Sequence, residues 1–254
     1  MKAFIPQDIS FEFVNRQFVQ DFKEYLDKKA IAHGNQKLSQ NSKYSYFNKL
    51  RAALKQAVKD GIIPHNPAEG VEAFKQGEPE REFLTLDELQ ACVKAECDIP
   101  QLKTAFIFSC LTGLRWSDIQ KLLWSEVQHS NEMGYYIRFR QKKTKGAETL
   151  PISEQAFNLL GERHDKDERV FKGLKYSAWH NLKLQQWVMR AGISKTITFH
   201  CARHTYATLQ LTMGTDIYTV SKLLGHRELK TTQVYAKIID DKKKEAATKI
   251  KLDL

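Results

Sequence analysis

The chain of 254 residues is long enough for one large domain or two smaller ones with a substantial core. Its hydrophobic content of 42% excludes wholesale disorder. Its net charge of +10 favours a polyanionic partner, of which nucleic acid is the leading candidate. No apolar run approaches the roughly 18 residues of a membrane span and no signal-peptide hydrophobic region is present, so the sequence predicts a soluble, cytoplasmic protein without a membrane partner.

The first 74 residues are predicted to be helical. After an extended start from Phe4 to Phe13, apolar residues recur at helical spacing in two stretches, and Asn15 is suited to cap the first. The apolar positions are Val14, Phe18, Phe22, Tyr25 and Leu26 in the first helix, and Phe47, Leu50, Leu54 and Val58 in the second. Because two helices enclose little core, we expect residues 1 to about 72 to be loosely packed or to use a neighbour's surface.

A polar stretch with Gly77 and Pro79, residues 75–82, is predicted to be a linker. A second domain, residues 83–254, then begins with a helix that Thr85 caps. The next helix, Leu102 to Leu111, is broken at Thr112 and Gly113. An arginine that follows such a break, Arg115, is fixed against the core, whereas an Arg115–Asp118 surface pair is the simpler alternative.

Two alternating segments, YYIRFRQ and TLPIS, predict a β-hairpin whose turn carries Lys142, Lys143 and Lys145. Lysines on an exposed turn most often serve solubility. A short helix is predicted to begin near Ser153. Another spans Tyr176 to Ala191, with four residues expected to pack inward: Leu182, Leu184, Trp187 and Val188.

The stretch from His200 to Tyr235 concentrates side chains suited to work on a phosphodiester. His200 and Arg203 are three apart and share a helix face, and Gly225 is expected to end a helix and leave His226 in a turn. An arginine can hold an oxyanion, imidazoles can move protons and a phenol can attack. Ionising a tyrosine at pH 7 costs roughly 4 kcal/mol, so attack by Tyr235 needs a proton acceptor and neutralising charge.

The four cysteines fit neither a disulfide framework nor a zinc site. Their spacing is irregular and no matching histidine pair accompanies them; they are Cys92, Cys97, Cys110 and Cys201. We interpret them as reduced core or surface thiols.

Together the motifs resemble those of the tyrosine recombinases, the phage integrase family. T-G-L-R-x-S-D at 112–118, the hairpin lysine, H-x-x-R at 200–203 and L-G-H with a tyrosine nine residues on occur in family order. The resemblance implies a mainly α fold with a small antiparallel β-sheet (α+β). It implies a partial helical core-binding domain over residues 1–74 and a catalytic domain with a C-terminal tail helix over 83–254. Since that core-binding domain has four or five helices, the chain is expected to be truncated at its N-terminus and to come from a bacterial or mobile-element integrase.

The resemblance also implies a reaction and a set of site residues. Tyr235 would attack a DNA strand and form a 3′-phosphotyrosine, without metal, ATP or any other cofactor. Arg115 and Arg203 would hold the nonbridging oxygens, with Asp118 supporting them from behind. His200 would assist the tyrosine proton and His226 would donate to the phosphate. Lys143 would protonate the leaving oxygen, with Lys145 as the alternative.

The expected partner is double-stranded DNA, with no small-molecule substrate. Candidate contacts to its backbone are Lys43, Lys55, Lys142 and Lys145. The family pattern is a tetramer on paired sites, to which the charged tail could contribute Ile250 and Leu252 as apolar anchors.

Other functions fit parts of the same pattern. A catalytically silent DNA-binding relative would not need Tyr235, and a type IB-like topoisomerase would use the same chemistry. A metal-dependent nuclease could use His200, Asp216 and His226, but no carboxylate cluster supports it.

Overall fold

The computed structural model describes residues 3–5, 7–32, 34–77, 81–140 and 147–235. The chain divides into two units, residues 1–80 and 81–254, each with its own core. The hairpin-turn lysines at 142, 143 and 145 and the tail from residue 236 onward lie outside the described residues.

The first unit is built on two α-helices, α1 (Arg16–Lys28) and α2 (Gln40–Lys59). The Asn15 side chain accepts a hydrogen bond from the Phe18 amide at 3.0 Å, which confirms the predicted cap of α1. The predicted extended start is wrong in part, because Phe11–Phe13 forms a 3₁₀ turn.

The expectation of loose packing in this unit is also corrected. Val19 on α1 and Phe47 on α2 are fully buried, and the segment after α2 adds Ile63, Ala68 and Val71 to the same core. The ring of Phe4 packs on three aromatic rings of α1 at 5.2–5.4 Å. Helical periodicity does not reveal these contacts, since they come from irregular segments folded over the helix pair.

The second unit begins with three helices whose ends are set by local sequence. Helix α3 (Leu86–Lys94) starts in a capping box between Thr85 and Glu88, as the acidic first turn favours. Helix α4 (Pro100–Thr112) has proline in its first turn and ends at Gly113 in the left-handed conformation, with φ of +69°. The short α5 (Trp116–Ile119) follows directly.

A three-stranded antiparallel sheet comes next. Strands β2 (Gly134–Arg140) and β3 (Ala147–Pro151) form the predicted hairpin, with Ile137 opposite Leu150. Strand β1 (Val127–Ser130) pairs with the other edge of β2 and was not predicted, because four residues are too few to show alternation.

The remaining helices are α6 (Glu154–Asn158), α7 (Ala178–Arg190), α8 (Phe199–Thr212) and α9 (Ile217–Leu223). On α7 the prediction is confirmed for Leu184, Trp187 and Val188, but Leu182 is 54% exposed. At about 100° per residue, Leu182 lies roughly 200° from Leu184 and therefore on the opposite face.

The main core surrounds α4 and α8. The ring of Phe106 on α4 meets those of Trp187 and Phe199 edge to face at 5.6 and 5.7 Å. All four cysteines are free thiols, and no helix among the described residues is long and apolar enough to cross a membrane.

Candidate active site

Three helix termini meet in the second unit and carry the predicted charged residues. Arg115 is the residue that caps α5, two positions after the left-handed Gly113. His200 and Arg203 lie in the first turns of α8, and His226 follows α9 after Gly225, whose φ is +60°. The structure therefore brings together segments more than 100 residues apart in the chain.

Arg203 ties these termini to each other. Its side chain is 5% exposed, and its guanidinium donates to the carbonyl oxygen of Gly113 at 2.6 Å and to that of Leu224 at 2.5 Å. The first carbonyl ends α4 and the second ends α9, so one planar group fixes both chain reversals. Burial, followed by the charge of Arg115, lowers the pKa of Arg203 to about 9, which leaves it protonated at neutral pH.

Arg115 and Arg203 both line a cavity of about 220 Å³. Its other polar lining comes from Asp118, Thr149 and Lys222. With two arginines and a lysine against a single carboxylate, the cavity carries net positive charge and suits an anion with several oxygen atoms.

Asp118 lies in this wall and is only 2% exposed. A simple surface pair with Arg115 is therefore excluded. Its carboxylate lies 3.8 Å from the ammonium of Lys121, and its charge raises the pKa of Arg203, opposing the effect of burial. A buried carboxylate at this position keeps an adjacent guanidinium charged.

The hydroxyl of Tyr235 is held by a residue that the sequence motifs do not mark. Nδ1 of His204 lies 2.6 Å from the tyrosine oxygen, and the ring of His200 packs edge to face on that of His204 at 4.6 Å. Burial, followed by the charge of His200, lowers the pKa of His204 to about 3. The imidazole is therefore neutral at pH 7, and in the tautomer protonated at Nε2 its Nδ1 accepts a hydrogen bond from the phenolic O–H.

Tyr235 itself is buried, at 6% exposure, in a 3₁₀ turn at Gln233–Tyr235. It packs in an apolar cluster that includes Tyr206, Val220 and Leu224. Burial raises the pKa of its hydroxyl, while the charges of Arg81 and Arg203 and a hydrogen bond with Arg81 act in the opposite direction. Tyr235 does not belong to the described residues that line the arginine cavity.

His226 is tied to the segment that carries the tyrosine. Its amide donates to the Ser221 carbonyl at 3.0 Å, and its Nδ1 lies 2.8 Å from the hydroxyl of the fully buried Thr232. Thr232 precedes Tyr235 by three residues, and the amide of Tyr235 donates to its carbonyl at 3.1 Å. The turn after α9 and the tyrosine turn are thus one hydrogen-bonded assembly.

Several other predicted residues have different surroundings. Lys43 pairs with Asp27 at 2.7 Å, while Lys55 is exposed on α2. Asp216 caps α9 through the Thr219 amide, and the described residues contain no group of three potential metal ligands.

His204 and Arg81 are the two residues that sequence reasoning missed. His204 could have been found, since it lies four residues after His200 on the same helix and so on a shared face. Arg81 gave no signal, because it lies in the predicted linker and its approach to Tyr235 depends entirely on tertiary structure.

Two family models match the chain. The model described as the phage integrase family covers residues 82–242, and that described as the phage integrase SAM-like domain covers residues 1–76. The second unit combines paired arginines, flanking histidines and a tyrosine on an α+β framework, and the matched models cover both units. The chain belongs to the phage integrase family of tyrosine-type recombinases.

Individual relatives agree. A tyrosine recombinase of Thermosipho africanus is 26% identical over 260 residues, spanning 93% of this chain and 85% of the relative. The integrase of Haemophilus phage HP1 is 30% identical over 237 residues, spanning 89% of this chain. The match covers 64% of that integrase, so the chain corresponds to less than two thirds of it.

Solved structures show the same fold. The XerH site-specific recombinase bound to its palindromic difH substrate aligns with a TM-score of 0.70 and 18% identity, over 98% of this chain and 76% of that one. A lambda integrase(75–356) dimer bound to a COC′ core site aligns with a TM-score of 0.66 and 20% identity, over 90% and 82% of the two chains.

Proposed function

We propose that this protein is a site-specific DNA recombinase that cleaves and rejoins strands through a covalent phosphotyrosine at Tyr235, without metal or ATP. The observation that carries the proposal is the pairing of two features on α8. Arg203 lines a cationic cavity with Arg115, and the next residue, His204, holds the hydroxyl of Tyr235. Family membership and the DNA-bound recombinases of the same fold support DNA as the partner.

In the proposed reaction the scissile phosphate occupies the cavity. Arg115 and Arg203 neutralise its nonbridging oxygens, and the phenolic oxygen of Tyr235 bonds to phosphorus as the bond to the 5′ oxygen breaks. The departing 5′ oxygen takes a proton from Lys143, and His226 donates a hydrogen bond to the phosphate. The reverse steps, with a 5′ hydroxyl of another strand, complete the exchange.

The structure corresponds to a resting arrangement in this scheme. Ionising a tyrosine of ordinary pKa at pH 7 costs about 4 kcal/mol, and burial raises the pKa of Tyr235 further. His204, with a pKa of about 3, is too weak a base to keep the phenolic proton. We therefore propose that Tyr235 leaves this site and gives its proton to His200, which is exposed at the start of α8.

Duplex DNA would be held by lysines, with Lys55, which is exposed on α2, as the described candidate and Lys142 and Lys145 as further ones. We propose a tetramer on paired sites as the assembly that exchanges strands, in line with the family pattern. The tail anchors at Ile250 and Leu252 would join neighbouring protomers.

The test is covalent capture from a pool of DNA fragments, which selects the target site during the experiment itself. The protein is incubated in EDTA with duplex fragments that tile the DNA on both sides of its gene, and the reaction is stopped with detergent. Fragments that remain attached to protein are then sequenced. We expect a small set of fragments to be recovered, joined to the peptide that contains Tyr235.

Two tyrosine variants provide the comparison. Tyr235→Phe should abolish capture, whereas Tyr206→Phe should retain it, because Tyr206 is buried in the same cluster but has no proposed role in attack. Retention of attached DNA in Tyr235→Phe, or a need for a divalent metal, would refute the mechanism. Binding of specific fragments without any covalent product would identify a catalytically silent relative.

A further inference from the structure

We propose that Lys222 is a third phosphate-binding residue of the arginine cavity, adding positive charge where the phosphorus becomes pentacoordinate. This rests on the proposed function, because the anion it would contact is the scissile phosphate. Lys222 lies on α9 and lines the same cavity as Arg115 and Arg203.

The solvent exposure of the three cations increases from the floor of the cavity to its rim. Arg203 is buried, Arg115 is half-buried and Lys222 is exposed. A phosphate that enters from solvent would meet the lysine at the rim and the two guanidinium groups beneath it. Among the described residues no carboxylate lies within ion-pairing distance of Lys222, whereas Lys121 near the same wall pairs with Asp118.

The aromatic ring of Tyr218 gives Lys222 a defined neighbour. The ammonium lies 5.1 Å from the centre of that ring, one helical turn earlier on α9. Tyr218 is 60% exposed, so burial of its ring in the core does not explain why the ring lies beside Lys222. A lysine in the last turn of a helix is also favoured by the helix dipole, but that effect would not require it to line a cavity.

The chemistry of the step explains why a third charge is useful. A phosphodiester carries one negative charge, and attack by a tyrosinate adds a second as the bond from the Tyr235 oxygen to phosphorus forms. The two arginines already face the ground-state charge, so a further cation stabilises the transition state more than the bound substrate. Lys222 should therefore affect the cleavage rate more than DNA affinity.

The experiment uses the captured DNA site rebuilt as a duplex with a nick beside the scissile phosphate, so that cleavage releases a short oligonucleotide and becomes irreversible. Lys222→Gln should slow covalent-complex formation about tenfold to a hundredfold, below the loss typical of a buried oxyanion donor. Lys94→Gln is the matched control, because Lys94 is exposed on α3 and its substitution removes the same charge away from the cavity.

Two modified substrates decide how Lys222 acts. A methylphosphonate at the scissile position removes one negative charge, so the transition state carries one charge instead of two and the two arginines suffice for it; the defect of Lys222→Gln should then shrink to less than about threefold. An equal defect on both substrates would overturn the proposal. A bridging 5′-phosphorothiolate leaves without protonation, so rescue of Lys222→Gln by this substrate would instead make the lysine a proton donor and also overturn it.

The outcomes separate this inference from the function on which it depends. Wild-type rates in Lys222→Gln, beside a Tyr235-dependent complex in the unaltered protein, would overturn the role of Lys222 alone. If the unaltered protein forms no Tyr235-dependent complex with any fragment, the proposed function fails and this inference fails with it.

Discussion

Gly113 offers a sharp test of how the cavity is built. A Cβ at this position would lie 2.6 Å from Cδ1 of Tyr206 and 3.0 Å from Cδ2 of Leu224, and both side chains are buried. The backbone φ of +69° costs a non-glycine residue about 1–2 kcal/mol, and forcing a methyl group into packed surroundings adds about 1–3 kcal/mol. Gly113→Ala should therefore lower the free energy of unfolding of the second unit by about 2–5 kcal/mol.

Gly134 is the matched control for Gly113. Its φ is +67°, but a Cβ there would meet no atom within 4 Å, so Gly134→Ala should show only the backbone cost of about 1–2 kcal/mol. All four tryptophans lie within residues 116–187, so tryptophan fluorescence during urea unfolding follows the second unit alone. Equal losses in the two variants would refute the packing argument.

Three further predictions concern charged and titratable groups. Because the pKa of His204 is about 3 in the folded state and near 6.5 in the unfolded chain, the free energy of unfolding falls as pH drops from 6.5 toward 3. His204→Asn should remove up to about 1.4 kcal/mol of that loss per pH unit, measured by urea unfolding at pH 7 and 5. Arg203→Lys should lose about 1.5–3 kcal/mol of stability, because an ammonium cannot reproduce the fork that holds two carbonyls, and unchanged urea midpoints would contradict this. Lys55→Gln should lower the salt slope of DNA binding by about one in anisotropy titrations. Lys43→Gln should lower it by less, since a carboxylate already neutralises Lys43. Equal slopes for Lys55→Gln and the unaltered protein would argue against α2 as a DNA contact.

Much of the helical framework could be predicted from the sequence, because the ends of its helices are set by nearby capping residues. The caps at Asn15, Thr85 and Ser153 and the left-handed terminus at Gly113 all have the predicted positions. These signals depend on side chains that bond to their own helix, so no tertiary information is needed. Strand β1 and the irregular segments of the first unit carried no such local signal.

The sequence motifs supply the candidate site as a list of residues but not as an arrangement. The motifs named Arg115, His200 and Arg203, yet nothing in them showed that Arg203 holds the ends of α4 and α9 together. Carbonyl acceptors are the same at every residue, so sequence cannot show which ones a buried guanidinium will contact. The inward placement predicted for Leu182 failed for a different reason, since residues two apart on a helix lie on opposite faces and Leu182 and Leu184 could not both pack inward.

Two consecutive residues of helix α8 face different parts of the candidate site. Neighbouring side chains on a helix point about 100° apart, so Arg203 can line the cavity while His204 faces the tyrosine. In the proposed reaction, the same helix thus lines the cavity for the phosphate and holds Tyr235 by a hydrogen bond outside that cavity. Moving α8 to free Tyr235 would break the two carbonyl contacts of Arg203, so release by movement of the tyrosine turn, residues 233–235, preserves the cavity. The hydrogen bond between His226 and Thr232 places a histidine of the candidate site beside that turn.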